Sequence, residues 1–237
     1  MKINMKAAVS RSMVALTVVS LLATSSPSAL LAQSGPTGTQ ASGNVDWRTY
    51  EGGNHAQSWS DLNQINLANI KNLEVVWQYP LDTGASQSSP LVVDNTMYLI
   101  GADAALVALN AETGQVQWTR PKALTGRSRG IAYWESKDRK DRRLITFNNQ
   151  MMEATDAFTG KLVPSFGVNG KVDLRAGFTG RTIEQVPRIQ PSSPGRVVGD
   201  LYIIGATTGE EYGSPPGDIR AFNIRTGKKV RDFPTIP

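Results

Sequence analysis

Ala108-Leu-Asn-Ala-Glu-Thr-Gly-Gln-Val-Gln-Trp118 recurs as Ala154-Thr-Asp-Ala-Phe-Thr-Gly-Lys-Leu-Val-Pro164, and again within Ile219-Arg-Ala-Phe-Asn-Ile-Arg-Thr-Gly-Lys-Lys-Val230. Aligning the Thr-Gly pairs puts Ala108, Ala154 and Ala221 in one column, and Asn110, Asp156 and Asn223 in another. Thr113, Thr159 and Thr226 follow, then Gly114, Gly160 and Gly227. Each column has a physical use. An Asn or Asp side chain accepts hydrogen bonds from turn amides, and glycine takes the positive φ that closes a hairpin. The alanine suits a close approach of two sheets, and Trp118 is expected to lie flat between sheets and bury a large apolar area. A single Thr-Gly turn marks an ordinary hairpin; three copies in register mark a repeat.

Working outward, each copy is preceded by another hairpin. Ser89-Pro-Leu-Val-Val-Asp-Asn-Thr-Met-Tyr-Leu-Ile-Gly101 reads as two short apolar strands around Asp-Asn, and Pro194-Gly-Arg-Val-Val-Gly-Asp-Leu-Tyr-Ile-Ile-Gly205 repeats the pattern. Two such hairpins make one four-stranded sheet. Gly114 and Gly160 stand 46 residues apart, within the roughly 40–50 residues of one propeller blade. Gly160 and Gly227 stand 67 apart, so an insertion is expected, placed at Val163 to Ser192 where Pro, Gly and Arg interrupt the strand pattern. The fold class is therefore all-β, a partial β-propeller of about three to four four-stranded blades. The segment Leu62 to Leu73 has apolar residues at helix-like spacing and reads as a short helical turn or a crossing loop; Val75 to Tyr79 reads as a strand.

The N-terminus is of another kind. Lys2, Lys6 and Arg11 precede the apolar run Met13 to Ala23 and a small-residue region near Ala32, the order of a secretory leader. The run is shorter than the roughly twenty residues of a spanning helix. Residues 1–32 are thus expected to be a signal peptide directing export, 33–45 a flexible lead-in rich in Gly, Ser, Thr, Gln and Pro, and 46–237 the N-terminal part of the propeller. Of 25 Lys+Arg the leader takes three, leaving 22 against 20 Asp+Glu, a balance that gives no reason to invoke nucleic acid. With no cysteine, disulfides, cysteine nucleophiles and thiolate metal sites are excluded. His55 is the one histidine, in a Gly-Asn-His-Ala loop, and is read as solvent-facing.

Between the first two repeats lies Ser128-Arg-Gly-Ile-Ala-Tyr-Trp134, and the chain opens with Trp47-Arg-Thr-Tyr-Glu-Gly-Gly-Asn54 and Asp61-Leu-Asn-Gln-Ile-Asn66. With the Thr-Gly units and Asp218 to Gly227, these stretches resemble the quinoprotein dehydrogenases, periplasmic enzymes that oxidise alcohols or sugars with pyrroloquinoline quinone (PQQ). The resemblance covers nearly everything after the leader and implies an eight-bladed ring, of which about half is not in this chain. Many alcohol-oxidising relatives stack a vicinal disulfide on PQQ; the lack of cysteine moves the match toward the membrane glucose, polyol and quinate dehydrogenase branch.

The resemblance also implies a site. Arg129 would contact the cofactor, since a guanidinium pairs with a carboxylate or quinone oxygen in fork geometry. Gln87 falls where relatives often carry a carboxylate touching PQQ, and Ser192 or Ser193 aligns with a hydroxyl that binds a PQQ carboxylate. Thr207 and Thr208 lie on a cofactor-flanking loop, with Glu210 the candidate calcium ligand. The catalytic aspartate and remaining ligands belong to blades expected beyond Pro237, so no catalytic residue is assigned and the chain alone is expected to be inactive. Substrate would be a small alcohol, sugar or polyol, and electrons would pass to ubiquinone or cytochrome c. The rival reading is a non-enzymatic propeller of the same repeat that serves as a protein-binding scaffold.

Overall fold

The computed structural model describes residues 2–3 and 46–235, apart from 54, 82–87, 125–127, 179, 206, 210 and 212. Three four-stranded antiparallel sheets follow one another along the chain, each with its strands hydrogen-bonded in sequence order. They are preceded by a short ladder between β1 (Lys2–Ile3) and β2 (Val75–Trp77). The first sheet comprises β3 (Leu91–Val93), β4 (Thr96–Ile100), β5 (Leu106–Asn110) and β6 (Val116–Arg120). In the second are β7 (Ala132–Glu135), β8 (Arg142–Asn148), β9 (Met151–Asp156) and β10 (Lys171–Asp173). The third holds β11 (Arg196–Val198), β12 (Leu201–Ile204), β13 (Ile219–Asn223) and β14 (Lys229–Phe233). The expected leader lies outside the described residues except for Lys2 and Ile3, and the lead-in lies wholly outside them.

The repeated turns are built as their residue types require. The Oδ1 atoms of Asn110, Asp156 and Asn223 each accept two amide hydrogen bonds from residues two and three positions on, at 2.8–3.1 Å. The closing glycines have φ of +74°, +72° and +72°. Against two of them a tryptophan docks from the neighbouring strand system. A Cβ on Gly160 would lie 2.6 Å from the Trp118 ring, and one on Gly114 2.6 Å from Trp77. The Trp118 indole N–H also donates to the Ala157 carbonyl at 3.1 Å, tying the first sheet to the turn of the second. At Gly227 the place of the indole is taken by Val172 and Gly167.

Burial follows from this face-to-face stacking. Strands β8 and β9 are buried on both faces, because the second sheet has a neighbour on either side; β12 and β13 alternate. One core, with Leu91, Tyr98, Leu106, Ile131, Tyr133 and Leu144, fills the gap between the first and second sheets. A second, with Trp134, Phe147, Met152, Phe166, Tyr202 and Phe222, joins the second to the third. The only face of the first sheet left over is covered by Trp77 and Tyr79. Stacking of this kind, sheet against sheet in sequence order, is the radial arrangement of propeller blades.

The insertion is placed differently from the expectation. Leu162 makes a single bridge to Thr155, the chain then leaves the ladder at Pro164, which lacks an N–H, and the outer strand resumes as β10 opposite Glu153 to Met151. So the inserted stretch contains a blade strand. Its later part is core rather than surface loop, for Leu174, Phe178, Val186 and Ile189 are buried between the second and third sheets. Leu62 to Leu73 is an exposed crossing loop ending in one 3-10 turn, Ile70–Asn72.

Candidate cofactor site

The innermost strands β3, β7 and β11 all start at the same end of the stack, and there the main chain links the three sheets. Ser89 N donates to Arg129 O at 3.1 Å, and Arg129 N donates to Ser192 O at 3.0 Å. This short relay brings Arg129 beside Ser192 although 63 positions separate them in the sequence. Close approach at Gly130 makes it possible. A Cβ there would meet the Tyr50 ring at 3.2 Å, Pro194 at 3.4 Å and the Ser89 carbonyl at 3.7 Å, so a side chain would press on the Tyr50 ring and fill the remaining space.

Pro191 to Arg196, with Ile203 to Gly205 and Thr207, lines a cavity of about 360 Å³. Gly195, on its lining, is held by Tyr202, whose buried hydroxyl accepts a hydrogen bond from Gly195 N at 2.9 Å. Burial pushes that phenol's pKa up, so it stays a neutral hydroxyl across the physiological range. Thr207 is held over the cavity by a pair of main-chain bonds with Gln190, at 3.2 and 3.3 Å.

The structure therefore brings together Arg129, Ser192, Ser193 and Thr207 at one end of the stack. Thr208 is half-buried and does not line the cavity. Gln87 and Glu210 lie outside the described residues. Arg129, Ser192, Ser193 and Thr207 are exposed, and among the described residues their side chains make no hydrogen bond or ion pair. His55 is exposed, as read from its loop. Sequence reasoning missed Tyr50 and Arg196. The Arg196 guanidinium donates to Tyr50 O at 2.9 Å and to Gly53 O at 3.1 Å, across 146 and 143 positions that no local pattern connects.

A tricarboxylated, flat quinone asks for a cation, hydroxyl donors and flat apolar walls. Arg129 supplies the first; Ser192, Ser193 and Thr207 the second; Pro194, on the cavity lining, an apolar surface. The donor set fits PQQ. Among the described residues no group of three or more acidic or histidine side chains converges, and Glu210, the expected calcium ligand, lies outside them.

Stacked four-stranded sheets joined by docked tryptophans define a β-propeller segment. Residues 47–237 match the family described as PQQ, glucose/ethanol/alcohol dehydrogenase, beta-propeller domain, and the chain belongs to that family. It is 34% identical over 203 residues to the dehydrogenase subunit of alcohol dehydrogenase (quinone) from Gluconobacter oxydans, covering 81% of this chain and 25% of that protein. To quinoprotein glucose dehydrogenase A of Acinetobacter calcoaceticus it is 27% identical over 230 residues, covering 80% and 28%. Both the alcohol and the glucose branches are thus represented among its relatives. The crystal structure of quinohemoprotein alcohol dehydrogenase from Comamonas testosteroni superposes with a TM-score of 0.63 at 26% identity, over 81% of this chain and 27% of that one. The chain spans about a quarter of the length of these relatives.

Proposed function

We propose that this chain forms the opening blades of a PQQ-dependent dehydrogenase that oxidises an alcohol, sugar or polyol in the periplasm, residues 1–32 having served as the export signal. The observation that carries the reading is the main-chain relay that sets Arg129 beside Ser192, both exposed. When bound, PQQ supplies an orthoquinone that accepts hydride from a carbinol carbon. The chain's own part is to bind and orient. Arg129 holds a carboxylate or quinone oxygen through its paired N–H groups, and Ser192, Ser193 and Thr207 donate to the remaining oxygens. Thr208 and Gln87 complete the expected contacts, and Glu210 is the expected calcium ligand. No proton transfer is assigned to a residue of this chain. Electrons leave for a respiratory acceptor, ubiquinone or cytochrome c.

The reading is tested by titrating the full chain with PQQ and calcium, following quenching of tryptophan fluorescence. Saturable binding is expected. Arg129→Met is expected to weaken it by about 10- to 100-fold, the worth of a charge-assisted hydrogen bond. Equal affinity of the two proteins would overturn the assignment of Arg129, and no binding by either would favour a scaffold propeller.

A further inference from the structure

The opening loop touches all three inner strands near the relay. Trp47 pairs with Val92 on β3, through Trp47 N to Val92 O at 2.7 Å and Val92 N to Trp47 O at 2.9 Å. Arg48 bonds Glu135 at the end of β7. The Tyr50 ring rests against Gly130, just before β7. Finally, Arg196, first residue of β11, gives Nη1 to the Tyr50 and Gly53 carbonyls and faces Glu51 Oε2 with Nη2 at 3.4 Å. Eight consecutive residues, 46–53, thus bridge three sheets.

We propose that the loop Tyr50–Gly53, locked by Arg196, sets the spacing between Arg129 and Ser192, which makes Arg196 a positioning residue for a flat polycarboxylate ligand. This rests on the cofactor reading above. The relay fixes the main chain at the start of the inner strands, while the shared core and the Trp134 indole N–H bond to Gly199 O at 3.0 Å tie the second sheet to the third further along. Tilting of the strand starts within those ties would change the separation of the Arg129 and Ser192 side chains without breaking either relay bond. The brace adds a second tie at that end, because Tyr50 is held at its carbonyl by the third sheet and at its ring by the second. A guanidinium is needed, since two carbonyls and a carboxylate converge on it and only a planar fork reaches all three. Three of the five guanidinium N–H groups are engaged in this way, and the anion contact of the cofactor reading stays with Arg129.

The test uses the full chain, PQQ with calcium as the probe, tryptophan quenching for affinity and the induced circular dichroism of bound PQQ for its orientation. If loss of the brace leaves the competent spacing populated about one time in ten, apparent affinity falls about tenfold. Arg196→Met is expected to show that loss together with a changed induced signal, and Arg196→Lys to recover part of both. Tyr50→Ala, which leaves every ion pair intact, is expected to weaken binding in the same direction and stands in if Arg196→Met does not fold. Unchanged affinity and signal in the folded variants overturn the brace while leaving the cofactor reading intact. Failure of the unsubstituted chain to bind PQQ sinks the cofactor reading and the brace with it.

Discussion

At the scale of single residues, the repeat columns divide into those whose cost is conformational and those whose cost is contact. Gly160 carries both, with φ at +72° and no room for a methyl beside Trp118. Gly160→Ala is expected to destabilise by about 2 kcal/mol or more, the left-handed backbone and the displaced indole adding together. Urea unfolding followed by tryptophan emission measures it, and a loss under about 0.5 kcal/mol would mean the turn relaxes freely. The turn chemistry at Asn110, Asp156 and Asn223 was legible in the sequence, because a side chain bonding amides two and three residues away is a local event. Tyr50 and Arg196 were not legible. Their partners lie more than seventy positions away, and a tyrosine in a polar loop carries no mark of the glycine it will cover.

Elements meet through charge as well as apolar surface. The Asp94 turn between β3 and β4 accepts from Arg139 and Arg142 of the second sheet, while Glu135 accepts from Tyr133, Arg48 and Arg139. Hydrogen bonds from Arg139 and Arg142 hold the Asp94 carboxyl below its ordinary pKa against a smaller opposing effect of burial. For Glu135, burial pulls upward most strongly, yet the donors from Tyr133, Arg48 and Arg139 together outweigh it and the net shift is downward. Carboxylates depressed in the folded state stabilise it above their unfolded pKa of about 4, and that stability is lost as pH falls through the folded values. The melting temperature is accordingly expected to hold between pH 7 and about 5 and to drop below about 4. Glu135→Gln is expected to lower stability near neutral pH by about 1 kcal/mol and to shrink the acid-induced drop. A drop of the same size in the variant would place the acid sensitivity elsewhere. Strand order and hairpins followed from alternation and turn residues, but the outer strand of the second sheet did not. Lys171–Asp173 has neither length nor apolar pattern to announce it; it is a strand because β9 offers it an edge.

Across the whole molecule the two ends of the stack differ. The first sheet is capped by Trp77 and Tyr79, whereas the third exposes Val198, Ile219, Val230 and Phe233, the last at 66%. In isolation the chain is expected to bind a hydrophobic dye and to elute at a size that grows with concentration, since exposed apolar side chains on a terminal sheet favour association. Light scattering across a dilution series decides it, and a stable monomer with one cooperative melt would refute it. The number of blades was readable from a 46-residue period; which of their surfaces stay uncovered was not, since that depends on what packs beyond the last sheet. The relay of Ser89, Arg129 and Ser192 has a consequence for change over time. It is made of peptide groups alone, so substitutions at Arg129 or Ser192 alter what the site presents while leaving the frame that presents it in place. Such a frame lets the ligand chemistry of this end drift residue by residue, each step tolerated by the fold, until the same blades serve a different guest or none.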